Sequence, residues 1–64
     1  MKVAIQILSE REIEALQLLS MGLTYEKIAV QMEVRHETVK MHLKNIYRKL
    51  KAKNKVEAIK HLWR

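Results

Sequence analysis

Residues 37–50 read ETVKMHLKNIYRKL, and this stretch decides the fold. Val39, Leu43, Ile46, Tyr47 and Leu50 recur at steps of three and four, which aligns them along one side of a helix that turns every ~3.6 residues. That side faces a core. Lys40, Lys44 and Arg48 stand four residues apart and form a cationic row on another side, with Lys49 and Lys51 at its end. That side faces water or an anion.

The charge outside this helix is just as unevenly placed. Up to Val34 the chain carries three lysines and arginines against five glutamates, whereas from Arg35 onward it carries ten against two. The net charge of +6 therefore resides in the second half, on a chain whose pI is near 9.9. Such a basic half is the electrostatic footprint expected of a nucleic-acid binder, although a solvated helix face would carry the same residues.

At 64 residues the chain has room for one domain only, near the lower limit for a self-sufficient core. The absence of cysteine removes disulfides and thiolate metal sites and points to an intracellular, cytoplasmic protein. The apolar runs are too short to cross a bilayer, and the N-terminus lacks the apolar core of a signal peptide, so no membrane association is expected.

Punctuation places three further helices. Ser9 followed by Glu12 matches the capping box, so a first helix starts near Glu10, with Ile13, Leu16 and Leu19 turned inward beside Ala15 and Leu18. Gly22, the single glycine, suits the left-handed position after its end. Thr24 can cap a short second helix, with Ile28, Ala29 and Met32 on one side, that stops before Val34. Asn54 with Glu57 opens a fourth helix carrying Val56, Ala58, Ile59, Leu62 and Trp63. At ~100° per residue those five span an apolar arc wider than the ~100° stripe that one small core needs, so part of it should meet a partner.

A short helix, a turn of about three residues and a longer basic helix make the helix-turn-helix pattern, in which the first braces the second and the second presents its early turns to base edges. The fold expected is all-α, a four-helix helix-turn-helix domain over residues 8–64, with residues 1–7 as an N-terminal arm or linker. Val3, Ile5 and Ile7 alternate like a strand, but an isolated strand has no partner here, so an extended arm packing on the helices is expected.

Catalytic and metal chemistry find no support. His36, His42 and His61 include no pair three or four residues apart, no Asp or Cys is present, and neither Ser9 nor Ser20 has a histidine near it in sequence. No enzyme activity, metal or other cofactor is expected. His42, three residues after Val39 and four before Ile46, belongs at the edge of the core.

The string from Leu8 to Ile59 resembles the LuxR/GerE-type DNA-binding domain, the output module of many bacterial response regulators and quorum-sensing regulators. Leu8, Ser9, Arg11, Glu12 and Glu14 match the family's opening L-[TS]-x-R-E-x-E, and Gly22, Leu23, Thr24, Ile28 and Ala29 match its G-[LK]-[ST]…I-A segment. Thr38, Val39, Lys40 and His42 match T-V-K-x-H; Ile46, Lys49 and Leu50 match I-x-x-K-L; Asn54, Glu57 and Ala58 fit the start of the last helix. Each motif alone is weak, but their order and spacing together are specific.

The resemblance implies a bacterial transcriptional regulator, or its DNA-binding output domain, that holds double-stranded DNA with a recognition helix at about residues 36–50. It further implies base contacts from Lys40, Met41 and Lys44 in the major groove and a phosphate contact from Thr38. Lysine reads guanine O6 and N7 less rigidly than arginine does, and Met41 suits a thymine methyl. Thr24 and Tyr25, and Lys53, Asn54 and Lys55, lie at helix starts, where backbone amides favour phosphate. Family members dimerise through the last helix, so Val56, Ile59 and Trp63 are assigned to a homodimer interface, Ala58 and Leu62 to the core, and RNA polymerase stands as a further expected partner. Two alternatives share parts of the pattern: a sigma-factor-like promoter-binding module and a basic helical protein-interaction module with an acidic partner.

Two positions depart from the family. Arg35 holds the place of the serine that usually caps the recognition helix; it loses a cap worth ~1 kcal/mol but is itself suited to a phosphate. Lys51 stands where many members have glycine, so the helix is expected to end less sharply or to run on by a residue.

Overall fold

The computed structural model describes residues 7–62. Within them lie four helices, α1 (Glu10–Ser20), α2 (Tyr25–Met32), α3 (His36–Leu50) and α4 (Lys55–Lys60), and no strand. The expected packing of residues 1–6 as an arm falls outside the described residues, as does Trp63.

Three of the four helix starts are held by a short polar side chain. Ser9 Oγ accepts from the Glu12 amide at 3.2 Å while Glu12 Oε1 accepts from the Ser9 amide at 2.9 Å, a complete capping box. Thr24 Oγ1 accepts from the Lys27 amide at 3.2 Å, and Asn54 Oδ1 from the Glu57 amide at 3.0 Å. The exception is α3, where Arg35 precedes the helix without any side-chain cap.

The first three helices end in one way. After α1, Gly22 turns left-handed (φ 88°), its amide donates to Leu19 O at 3.0 Å and the Leu23 amide reaches Leu18 O at 3.4 Å. Glu33 (φ 59°) with Val34, and Lys51 (φ 55°) with Ala52, repeat the arrangement on Val30 and Ala29 and on Arg48 and Tyr47. This is the Schellman ending, and its hydrophobic component is present each time: Leu23, Val34 and Ala52 all pack against the core. The expectation for Lys51 is therefore corrected. Helix α3 stops at Leu50 as sharply as it would before glycine, because Ala52 is pulled inward and its amide closes on Tyr47 O at 2.9 Å.

Holding a side chain left-handed costs ~1–2 kcal/mol, which glycine avoids at the expense of a floppier unfolded chain. Glu33→Gly and Lys51→Gly should therefore each stabilise the fold by about 0.5–1 kcal/mol. Thermal melts of the two variants check this; a lowered melting temperature in both would mean that the side chains contribute more than the backbone strain removes.

Helix α3 is the axis of the molecule, in contact with α1, α2 and α4. Its Val39, Leu43, Ile46 and Leu50 are buried, and they meet Leu16 and Leu19 from α1 and Ile28 and Met32 from α2. Burying each such side chain contributes ~1.5–3 kcal/mol. Ala15, Ala29 and Ala58 are buried as well, and their small size lets the helix backbones approach closely. Ala58 is the one fully buried residue of α4.

The fourth helix is shorter than its apolar pattern suggested. It ends at Lys60, and the chain tightens: the His61 and Leu62 amides bond three residues back, to Ala58 O at 3.1 Å and Ile59 O at 2.9 Å. An arc computed at 100° per residue overstates the exposed apolar width, since Leu62 lies beyond the helix and packs against the core.

Candidate nucleic-acid interface

The side of α3 turned away from the core carries Glu37, Lys40, Met41, Lys44 and Arg48, all exposed. On a helix advancing ~100° per residue these lie opposite the buried Val39, Leu43, Ile46 and Leu50, so the residues that build the core also aim the cationic row outward. Met41 is 58% exposed, a large apolar side chain set among charges. Lys40 and Lys44 enter no ion pair among the described residues, and Arg48 donates only to Asn45 Oδ1, at 3.3 Å.

Lys49 leaves the row in which its spacing seemed to place it. Its Nζ lies 2.8 Å from Glu12 Oε1 on α1, and Glu12 is only 5% exposed. Burial pushes the Glu12 carboxyl up, but the Lys49 hydrogen bond and charge together with the Ser9 contacts outweigh it and hold the pKa below its ordinary 4.5. One carboxylate oxygen thus joins the capping box of α1 to the last turn of α3. Arg11 makes a second tie: Nη2 donates to Met32 O at 2.8 Å, satisfying a free carbonyl at the end of α2, while Nη1 pairs with Glu14 at 3.1 Å. Arg11 and Glu12 of the opening motif are thereby explained as joints that fix α2 and α3 against α1. A signal was present in the sequence: Glu12 lies three and four residues before Ala15 and Leu16, on the inward stripe, where a charge requires a partner.

The residues assigned to backbone contact fall at the two ends of α3, which at ~1.5 Å per residue is about 22 Å long. At its start, Arg35 is exposed and Thr38 half-buried. Thr24 is exposed, though its hydroxyl already caps α2. Tyr25 is half-buried, with its ring 5.9 Å from that of His36, so it also braces the α2–α3 junction. Behind it Tyr47 is pushed up to about 12, by burial first and by the Tyr25 phenol second. Past the far end, Lys53, Asn54 and Lys55 are exposed, with the Lys53 amide donating to Glu57 Oε1 at 2.8 Å. On α4, Val56 is 58% exposed and Ile59 half-buried against the core. His42 is half-buried at the core's edge, as its spacing suggested. No helix of the described residues is long and apolar enough to cross a membrane.

Comparison with known proteins agrees with this architecture. The nitrate/nitrite response regulator NarP of Escherichia coli is 38% identical over 52 residues, which is 81% of this chain and 24% of that protein. The transcriptional activator ExpR of Pectobacterium parmentieri is 43% identical over 54 residues, 84% of this chain and 22% of ExpR. The regulator MalT of Vibrio campbellii is 40% identical over 52 residues, 81% of this chain and 6% of MalT. The chain thus spans a quarter or less of the length of these relatives. No solved structure matches it significantly. The family model described as bacterial regulatory proteins, luxR family, matches residues 6–62, and the chain belongs to that non-enzymatic family of transcription regulators.

Proposed function

We propose that this chain binds duplex DNA sequence-specifically, with α3 in the major groove. The observation that carries the reading is the outward stripe of α3, where Lys40, Lys44 and Arg48 stand exposed and, among the described residues, without carboxylate partners beside an open Met41. Lys40, Met41 and Lys44 meet base edges; Thr24, Tyr25, Arg35, Thr38, Lys53, Asn54 and Lys55 meet sugar and phosphate at the flanks. A separation of about 22 Å between those flanks suits a groove ~12 Å wide with phosphates on both sides. Two copies pair through Val56, Ile59 and Trp63, giving a two-fold protein for half-sites about one DNA turn apart. The regulator works in the cytoplasm, with RNA polymerase as the partner to which it passes its signal.

Lys40→Ala and Lys44→Ala should each weaken binding to the preferred site more than to random duplex, by the ~1–3 kcal/mol that a base contact discriminates. Lys53→Ala should lower both affinities by about the same factor, as a phosphate contact does. Titrations against a duplex chosen by selection from random DNA, and against random duplex, make the comparison. Equal losses in all three variants would remove α3 from the groove.

A further inference from the structure

Helix α3 contains one carboxylate, Glu37, and it sits on the stripe that the proposed reading turns toward DNA. Its neighbours in the first turn are committed elsewhere. Val39 is buried in the core, His36 lies half-buried against Tyr25, and Thr38 is half-buried. Glu37 alone among these four is exposed, one turn before Met41 and two before Lys44. Among the described residues the ion pairs are Arg11–Glu14 and Lys49–Glu12, so neither Lys40 nor Lys44 neutralises it.

A carboxylate on this stripe is repelled by every phosphate, and the only attractive partners a major groove offers it are the exocyclic amino groups of cytosine and adenine. Adenine presents its N6 amino group beside the N7 acceptor, which repels a carboxylate oxygen, whereas cytosine N4 has no acceptor next to it on the same base. The early turns of a recognition helix are the ones that reach base edges.

We propose that Glu37 is a specificity-determining residue that accepts a hydrogen bond from cytosine N4 and so fixes one C·G pair in each half-site. The proposal rests on α3 entering the major groove. It also explains why a basic face keeps an acid at its leading end: the charge lowers affinity for DNA in general and restores it only where a cytosine donor waits.

Selection from random duplex DNA by the parent chain and by Glu37→Ala and Glu37→Gln, with thermal melts alongside, tests it. The parent should select a cytosine in each half-site, preferred about tenfold over other bases. Glu37→Ala should lose the preference at that base pair alone, while binding random duplex more tightly than the parent. Glu37→Gln should shift the same position toward adenine, whose N6 and N7 suit an amide. Two results overturn the proposal: an Ala variant that keeps every base preference of the parent, which would leave Glu37 acting on helix stability alone, or a parent that binds duplex without any preferred cytosine. Failure of the parent to bind duplex at low salt is a different result, since it removes the DNA-binding reading itself.

Discussion

Raising the salt from about 50 to about 200 mM should weaken binding of this chain to duplex DNA roughly 10³-fold. Each phosphate neutralised by a lysine or arginine releases condensed counterion, so the logarithm of the binding constant falls with the logarithm of salt at ~0.9 per contact. Counting the cations Arg35, Lys53 and Lys55 assigns about three phosphates to each copy. Two copies engage about six, for a slope near −5. A single copy would show about half that slope, so one titration reports both the chemistry and whether two copies bind together. The +6 charge makes weak binding to any polyanion unsurprising; the steepness is what identifies an organised set of phosphate contacts. Binding that is absent at low salt, or hardly changed across this range, would sink the proposal.

Glu12→Ala should destabilise the fold by about 2–3 kcal/mol, a large share of the ~3–10 kcal/mol expected for a domain this size. Loss of the capping box accounts for ~1 kcal/mol. The remainder comes from stranding Lys49, reduced from the ~3–5 kcal/mol of a fully buried pair because the Lys49 side chain is 34% exposed and can turn to water. Glu14→Ala provides the contrast on the same helix. Its pair with Arg11 is 50% and 44% exposed, so its loss should cost under about 0.5 kcal/mol. Similar melting temperatures for the two variants would show that the buried joint contributes nothing special.

The same joint sets an acid dependence. Because the Glu12 pKa is lowered in the fold, its stabilisation is fully present above the ordinary value of 4.5 and is lost as pH falls through the folded value beneath it. The stability gap between the parent and Glu12→Gln should hold constant from neutrality to about pH 5 and narrow below pH 4.5. Denaturant titrations at several pH values measure that gap directly.

How much of this was legible beforehand follows from the range of the forces involved. Helix starts are local: Ser9, Thr24 and Asn54 each bond to an amide three residues on, so their effect could be read from three-residue spacings. The orientation of α3 was local too, since the period of Val39, Leu43, Ile46 and Leu50 determines which side faces the core and therefore which side carries Lys40 and Lys44. Those readings, with the ordered motifs, were enough to identify the fold and family.

What only the tertiary structure decided lies in contacts between residues distant along the chain. Nothing near Lys49 in sequence shows that it leaves the cationic row, because the carboxylate that claims it is 37 residues away on another helix. Nor does the sequence around Lys51 show that a lysine will adopt a left-handed backbone; that is imposed by Ala52 packing into a core assembled from all four helices. The true end of α4 was likewise hidden, since Leu62 reaches the core by tightening the chain rather than by continuing the helix. Periodicity and capping act within one turn and are written in the sequence directly, whereas a side chain on the border between two faces is claimed by whichever partner the packing brings to it.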